Sequence, residues 1–102
     1  MINLEEMKET LESIGIPVAY YAFKEPQEPP YICYYSPGTD NFQADGHVYY
    51  RVDEVNVELY QIDRDLELED KVEKALSSFA WQSTTEYLTD ENVYLTTYEM
   101  EG

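Results

Sequence analysis

A chain of 102 residues has room for one hydrophobic core, and it is read as a single domain spanning 1–102. It carries 22 Asp and Glu against 6 Lys and Arg, a formal net charge of −16, so it cannot neutralise a run of phosphates, and direct nucleic-acid binding is excluded. Aromatic residues at 15% and hydrophobic residues at 43% exclude the disordered class that such acidity would otherwise suggest, and no apolar run of about 18 residues is present to span a bilayer.

The opening residues, Met1-Ile2-Asn3-Leu4-Glu5-Glu6, lack the basic region and apolar stretch of a signal peptide, so a soluble cytoplasmic protein is expected. A first helix is predicted from about Asn3 to Ile14, with Leu4, Met7, Leu11 and Ile14 on one stripe and Glu5, Glu9 and Glu12 on other faces. Asn3 can cap it, Glu6 completes a capping box, and Ile2 with Met7 has the spacing of a hydrophobic staple. Gly15 and Pro17 end it.

An aromatic strand over Val18 to Phe23 follows, then the break Glu25-Pro26-Gln27-Glu28-Pro29-Pro30, which no helix or central strand crosses, then a second strand over Tyr31 to Tyr35. Cys33, the lone cysteine, falls in that apolar run and reads as a small buried hydrophobe. Turn chemistry at Ser36-Pro37-Gly38-Thr39-Asp40-Asn41 and again at Ala44-Asp45-Gly46-His47 marks a loop or hairpin arm.

From Val48 to Tyr60 the pattern is strand-like, but Val48, Tyr50 and Val52 are even-numbered whereas Val55, Val57 and Leu59 are odd. A regular strand cannot bury both sets on one face, so a bulge or bend is predicted at Asp53-Glu54. The second helix starts after Asp63 or Asp65, either of which can cap it, with the stripe Leu68, Val72, Ala75, Leu76 and Phe79. Acidic residues in its first turns and Lys71 and Lys74 beyond them complement the helix dipole. Trp81 to Leu88 and Val93 to Met100 make a hairpin around Thr89-Asp90-Glu91-Asn92. The order gives an α+β fold: a mostly antiparallel sheet of four to five strands with two helices packed on one face, the other face being left to tyrosines, threonines and carboxylates.

Chemistry-bearing patterns are sparse. His47 is the only histidine, and nothing supplies a nucleophile elbow for it to serve. The run Asp63-Arg64-Asp65-Leu66-Glu67-Leu68-Glu69-Asp70 imitates an EF-hand loop at positions one, three, five and seven. It fails where glycine and a bidentate glutamate are required, since those places hold Leu68 and Lys74. With 22 carboxylates some lie close together whatever the fold, so no one acid pair points to a hydrolase. No P-loop, dinucleotide fingerprint or zinc cysteine pair is present, so no catalytic residue, metal or cofactor is assigned and enzyme activity is not expected.

Tyrosine supplies stiff contact area and stays soluble when exposed. The tyrosines fall on predicted strands, and neighbours such as Tyr20 and Tyr21, or Tyr49 and Tyr50, point to opposite faces. The candidate interface residues are Tyr21, Tyr35, Tyr50, Tyr60, Tyr94 and Tyr98.

The stretch Glu28-Pro29-Pro30-Tyr31-Ile32, then Tyr49-Tyr50-Arg51, Val57-Glu58-Leu59-Tyr60, Asp63-Arg64-Asp65-Leu66-Glu67 and Val72-Glu73-Lys74-Ala75-Leu76, resembles a family of small head–tail region proteins of long-tailed phages and prophages. Trp81, Glu86-Tyr87-Leu88, Glu91, Tyr94 and Tyr98-Glu99 resemble that family's closing hairpin. The likeness covers nearly the whole chain as a pattern of order and spacing, and departs from the family in the proline segment Pro26 to Pro30 and in the extreme acidity.

The resemblance implies a structural virion protein, a tail terminator or tail-to-head joining protein, forming rings that are commonly hexameric. Its partners would be further copies of itself, the tail tube protein and head connector proteins. It would be made in the bacterial cytoplasm and end in the virion neck or tail. The alternative is a small acidic inhibitor or nucleic-acid mimic that occupies a basic cleft of a host protein.

Overall fold

The computed structural model describes residues 2–37 and 51–101. Elements follow in the order β1 (Ile2–Asn3), α1 (Leu4–Glu12), β2 (Val18–Tyr20), β3 (Tyr31–Tyr35), β4 (Arg51–Val52), β5 (Glu54–Gln61), α2 (Leu66–Ala75), β6 (Ala80–Leu88) and β7 (Val93–Glu101). The five-stranded sheet has the order β2-β3-β5-β7-β6, antiparallel except for the β2–β3 pair, and β1 and β4 form a separate antiparallel pair. This is the α+β fold expected from the sequence.

Local chemistry sets the helix boundaries. The Asn3 side chain accepts from the amides of Glu5 at 2.9 Å and Glu6 at 3.2 Å, and Asp65 accepts from those of Glu67 and Leu68 at 3.0 and 3.1 Å, so both helices begin on a capped amide pair. Of the two caps open for the second helix, Asp65 is the one used. α1 ends at Glu12, earlier than Ile14, and the chain turns at Gly15 with φ +100°, a left-handed value that glycine adopts freely. Ile2 and Met7 are both buried, as the staple requires.

The core lies between the helices and one face of the sheet. Leu4, Met7 and Leu11 of α1 and Val72 of α2, with Leu76 just beyond it, join Ile32, Tyr34, Val55, Val57, Leu59, Tyr98 and Met100 in one buried cluster. The bend falls at Asp53: Val52 pairs with Ile2 in the small sheet, and beyond the bend Val55, Val57 and Leu59 turn inward in the large one. The change of parity in the sequence is therefore the point at which the chain leaves one sheet for the other.

The β2–β3 pairing differs from a hairpin. Val18 sits beside Ile32 and Tyr20 beside Tyr34, in parallel, with residues 21–30 as the return connection. The strand ends at Tyr20, short of Phe23, because Tyr21 takes φ +69° and turns the chain. The Tyr21 amide donates to the Tyr34 carbonyl at 2.9 Å, and the Ala22 amide to the Tyr20 carbonyl at 2.8 Å. The closing hairpin runs as expected, Ala80–Leu88 against Val93–Glu101, its turn closed by the Asn92 amide on the Leu88 carbonyl at 2.7 Å with Asn92 at φ +57°. Among the described residues no helix is long and apolar enough to cross a membrane. The predicted arm after Pro37, with Asp45 and His47, and the strand start at Val48 lie outside the described residues.

Candidate interaction surface

Alternation along each strand divides the sheet into two faces. Ile32 and Tyr34 of β3, Val55, Val57, Leu59 and Gln61 of β5, and Thr96, Tyr98 and Met100 of β7 face the helices. Tyr31, Cys33 and Tyr35, opposite Tyr60, Glu58 and Asn56, lie on the other face. Among the described residues no helix covers that face, but part of it is covered by residues 21–30. Tyr21 stacks on Tyr35 with ring centres 5.2 Å apart and planes at 25°, and Phe23 meets Tyr31 edge-on at 5.3 Å. The connection is thus a strap laid across the end of the sheet.

Beneath and beside the strap the polar tips are tied together. Tyr31 and Tyr60 stack at 4.7 Å and 20°, a cross-strand aromatic pair of the kind that stabilises a sheet. The Tyr60 hydroxyl donates to Glu58 Oε1 at 3.1 Å, and the Tyr35 hydroxyl reaches Glu58 Oε2 at 3.5 Å while accepting from Asn56 Nδ2 at 3.2 Å. Burial, then the neighbouring Glu58 carboxylate, pushes the Tyr60 phenol well above its ordinary value. Tyr31 is raised as well, first by burial. Cys33 is buried under the strap, and burial followed by Glu58 pushes its thiol up to about 11.

A cleft of about 290 Å³ opens between strap and sheet, lined among others by Tyr21, Phe23, Lys24, Tyr31, Cys33 and Tyr60. At neutral pH the raised phenols of Tyr31 and Tyr60 are neutral and the Cys33 thiol is protonated. Such a surface offers aromatic rings and hydroxyls packed against the strap, which suits recognition.

The six sequence candidates do not gather in one place. Tyr21, Tyr35 and Tyr60 belong to the strapped face, Tyr21 being 58% exposed. Tyr94 stands on the helix-side face, opposite Gln61, with its ring against Tyr87 at 4.9 Å. Tyr50 lies outside the described residues.

Tyr98 is a correction. Its ring is fully buried, edge-on to Trp81 at 5.2 Å, and its hydroxyl donates to Glu73 Oε2 of α2 at 3.0 Å, so it is a core residue of this chain and not part of its surface.

Tyr31, Phe23 and Glu58 were not among the candidates. Parity alone places Tyr31 with Cys33 and Tyr35, but the strap that makes this face aromatic depends on where residues 21–30 fold.

No family model, curated protein or solved structure matches this chain.

At the opposite end of the sheet a second cavity, of about 530 Å³, is bordered by Glu54, Glu99 and Glu101 together with Trp81 and Met100. Among the described residues no group of three or more His, Cys, Asp or Glu is arranged to hold a metal ion. Asp65 and Glu69, two carboxylates of the EF-hand-like run, serve the helix instead: one caps it, and the other is bound by Arg64 and Gln61.

Proposed function

We propose that this chain is a structural protein of the phage neck or tail, a ring-forming tail terminator or tail-to-head joining protein that works through protein contacts. The observation that carries the reading is the strapped tyrosine face. It is an aromatic surface, its Tyr35 and Tyr60 hydroxyls tied to Glu58 and Asn56, on a domain whose overall charge is strongly acidic. The order and spacing shared with the head–tail family add to it.

Its partners are further copies of the chain, the tail tube protein and head connector proteins, first in the bacterial cytoplasm and then in the virion. A ring needs two different patches per subunit, because head-to-tail contacts close only by rotation. A lumen lined with carboxylates repels the duplex and lets it slide, where a basic lumen would hold it.

The experiment is electron microscopy of a lysate from a phage or induced prophage that lacks this gene. Tails of uncontrolled length without heads assign the chain to termination, and separate full heads beside normal-length tails assign it to joining. Normal infectious particles overturn the proposal. Tight, salt-sensitive binding of the purified chain to duplex DNA would overturn the sliding-lumen account.

One observation favours the alternative of an acidic inhibitor or nucleic-acid mimic. Glu54, opposite Glu101, and Glu99 share one sheet face beside the second cavity, which gathers carboxylates as a mimic requires. That reading calls for capture of a DNA-binding host protein that weakens steeply as salt is added.

A further inference from the structure

Among the described residues β6 is an edge strand without the usual protections. Among the described residues it pairs with β7 alone, through nine consecutive residue pairs from Ala80↔Glu101 to Leu88↔Val93 without a bulge. Its sequence, Ala-Trp-Gln-Ser-Thr-Thr-Glu-Tyr-Leu, contains neither Pro nor Lys, and its only charge is Glu86. Natural sheets blunt such edges with bulges, proline, charge or a covering element, because a long regular edge is a template for another strand. The other edge, β2, has three residues, and its Tyr20 carbonyl is already used by Ala22, so it offers little. On a chain of net charge −16, β6 is a long, nearly uncharged stripe, the place where a second equally acidic copy can approach at least cost.

We infer that the free subunit forms a two-fold dimer in which β6 pairs antiparallel with β6 of a second copy, continuing the sheet across the axis. Strand faces stay aligned only when residues of equal parity meet. Centring on Thr84 alone uses the whole strand. Ala80 then lies opposite Leu88, Trp81 opposite Tyr87, Gln82 opposite Glu86, Ser83 opposite Thr85, and Thr84 opposite itself. The two aromatic pairs fall on the helix-side face, and hydroxyls fill the centre.

The two Glu86 carboxylates are then four residues apart along the strands, about 14 Å, beyond the Debye length of about 8 Å at physiological salt. Centring on Glu86 would set them directly opposite each other. The contact is isologous and so cannot itself close a ring; it is a state of the free chain and does not depend on the virion role.

The test uses the intact chain. Sedimentation equilibrium is expected to show a concentration-dependent mass reaching twice that of the monomer. Thr84→Lys, which sets two like charges across the axis, is expected to return it to monomer with an unchanged circular dichroism spectrum. In a Cys33→Ala background, Thr84→Cys is expected to oxidise to a covalent dimer, since residues facing each other across antiparallel strands lie within disulfide reach. Gln82→Cys alone stays unlinked, whereas Gln82→Cys mixed with Glu86→Cys links. A monomer at every concentration overturns the proposal. So does a dimer that survives in folded Thr84→Lys, or cross-linking of Gln82→Cys as fast as Thr84→Cys. If Thr84→Lys does not fold, the cross-linking pattern decides.

Discussion

Glu69 is buried, and a buried carboxylate persists only when it is paired. Arg64 donates to both of its oxygens, at 3.0 and 2.7 Å, and Gln61 Nε2 donates at 3.0 Å while Gln61 Oε1 accepts from the Asp65 amide at 2.9 Å. The network ties the end of β5 to the start of α2. The Arg64 hydrogen bond, with those of Gln61 and the Arg64 charge, holds the carboxyl below its ordinary value against the opposing effect of burial. A carboxyl whose folded value is depressed adds stability that is present above its unfolded value and is lost as pH falls through the folded one. Urea unfolding followed from neutral to acid pH is therefore expected to show a decline that Glu69→Gln flattens; an unchanged acid limb in the variant would refute the assignment. Glu69→Ala strands Gln61 Nε2 as well, at about 1–3 kcal/mol. Tyr98 has the opposite sign. Burial, then its bond to Glu73, raises its phenol, so its contribution is full below about pH 10 and disappears as pH climbs further. Tyr98→Phe is expected to cost about 1 kcal/mol at neutral pH and to shift the alkaline unfolding midpoint upward, measured by tyrosinate absorbance alongside circular dichroism.

The strap works as an element because rings on both sides of it lock together, Tyr21 on Tyr35 and Phe23 on Tyr31. Cys33 reports on it: the thiol is 5% exposed and held near 11, so alkylation in the native state is expected to be slow. Phe23→Ala removes one lock and is expected to speed labelling at least tenfold without unfolding the sheet; equal rates would mean that the strap does not guard the thiol. Nothing local in the sequence announces this strap. Parallel neighbours are ordinarily joined by a helical crossover, and residues 21–30 contain only a proline-rich turn, so the pattern reads as an ordinary connection. The cap at Asn3, the choice of Asp63 or Asp65 for the second helix, the apolar stripes and the bend at Asp53-Glu54 were legible because each is dictated by residues a few positions apart. The pairing of Ile2 with Val52 and the reach of Tyr98 to Glu73 were not, since both join segments distant in the chain. Tyr98 also shares its parity with buried Met100, a signal outweighed by the expectation that a phenol seeks a surface.

At the scale of the whole molecule the formal charge of −16 opposes compaction, and the described residues contain two ion pairs to set against it. One of them, Lys74 with Asp70, is exposed at both ends, the kind of pair that contributes about 0–1 kcal/mol. Salt screens both terms, but unequally. The repulsion sums over many carboxylates spread across the surface, whereas the Arg64–Glu69 pair is partly shielded from solvent and keeps most of its strength. Raising sodium chloride from about 0.05 to about 0.5 M, which shortens the Debye length from above 10 Å to below 8 Å, is therefore expected to raise Tm, measured by circular dichroism at a fixed protein concentration. A fall in Tm would mean that attractive pairs dominate. The same screening acts between two copies: an association through β6 carries a single carboxylate per strand and gains nothing from ion pairing, so its dissociation constant is expected to fall as salt rises. Contacts held by salt bridges weaken under the same change, and the direction of the shift separates pairing of neutral edges from attraction between charged patches.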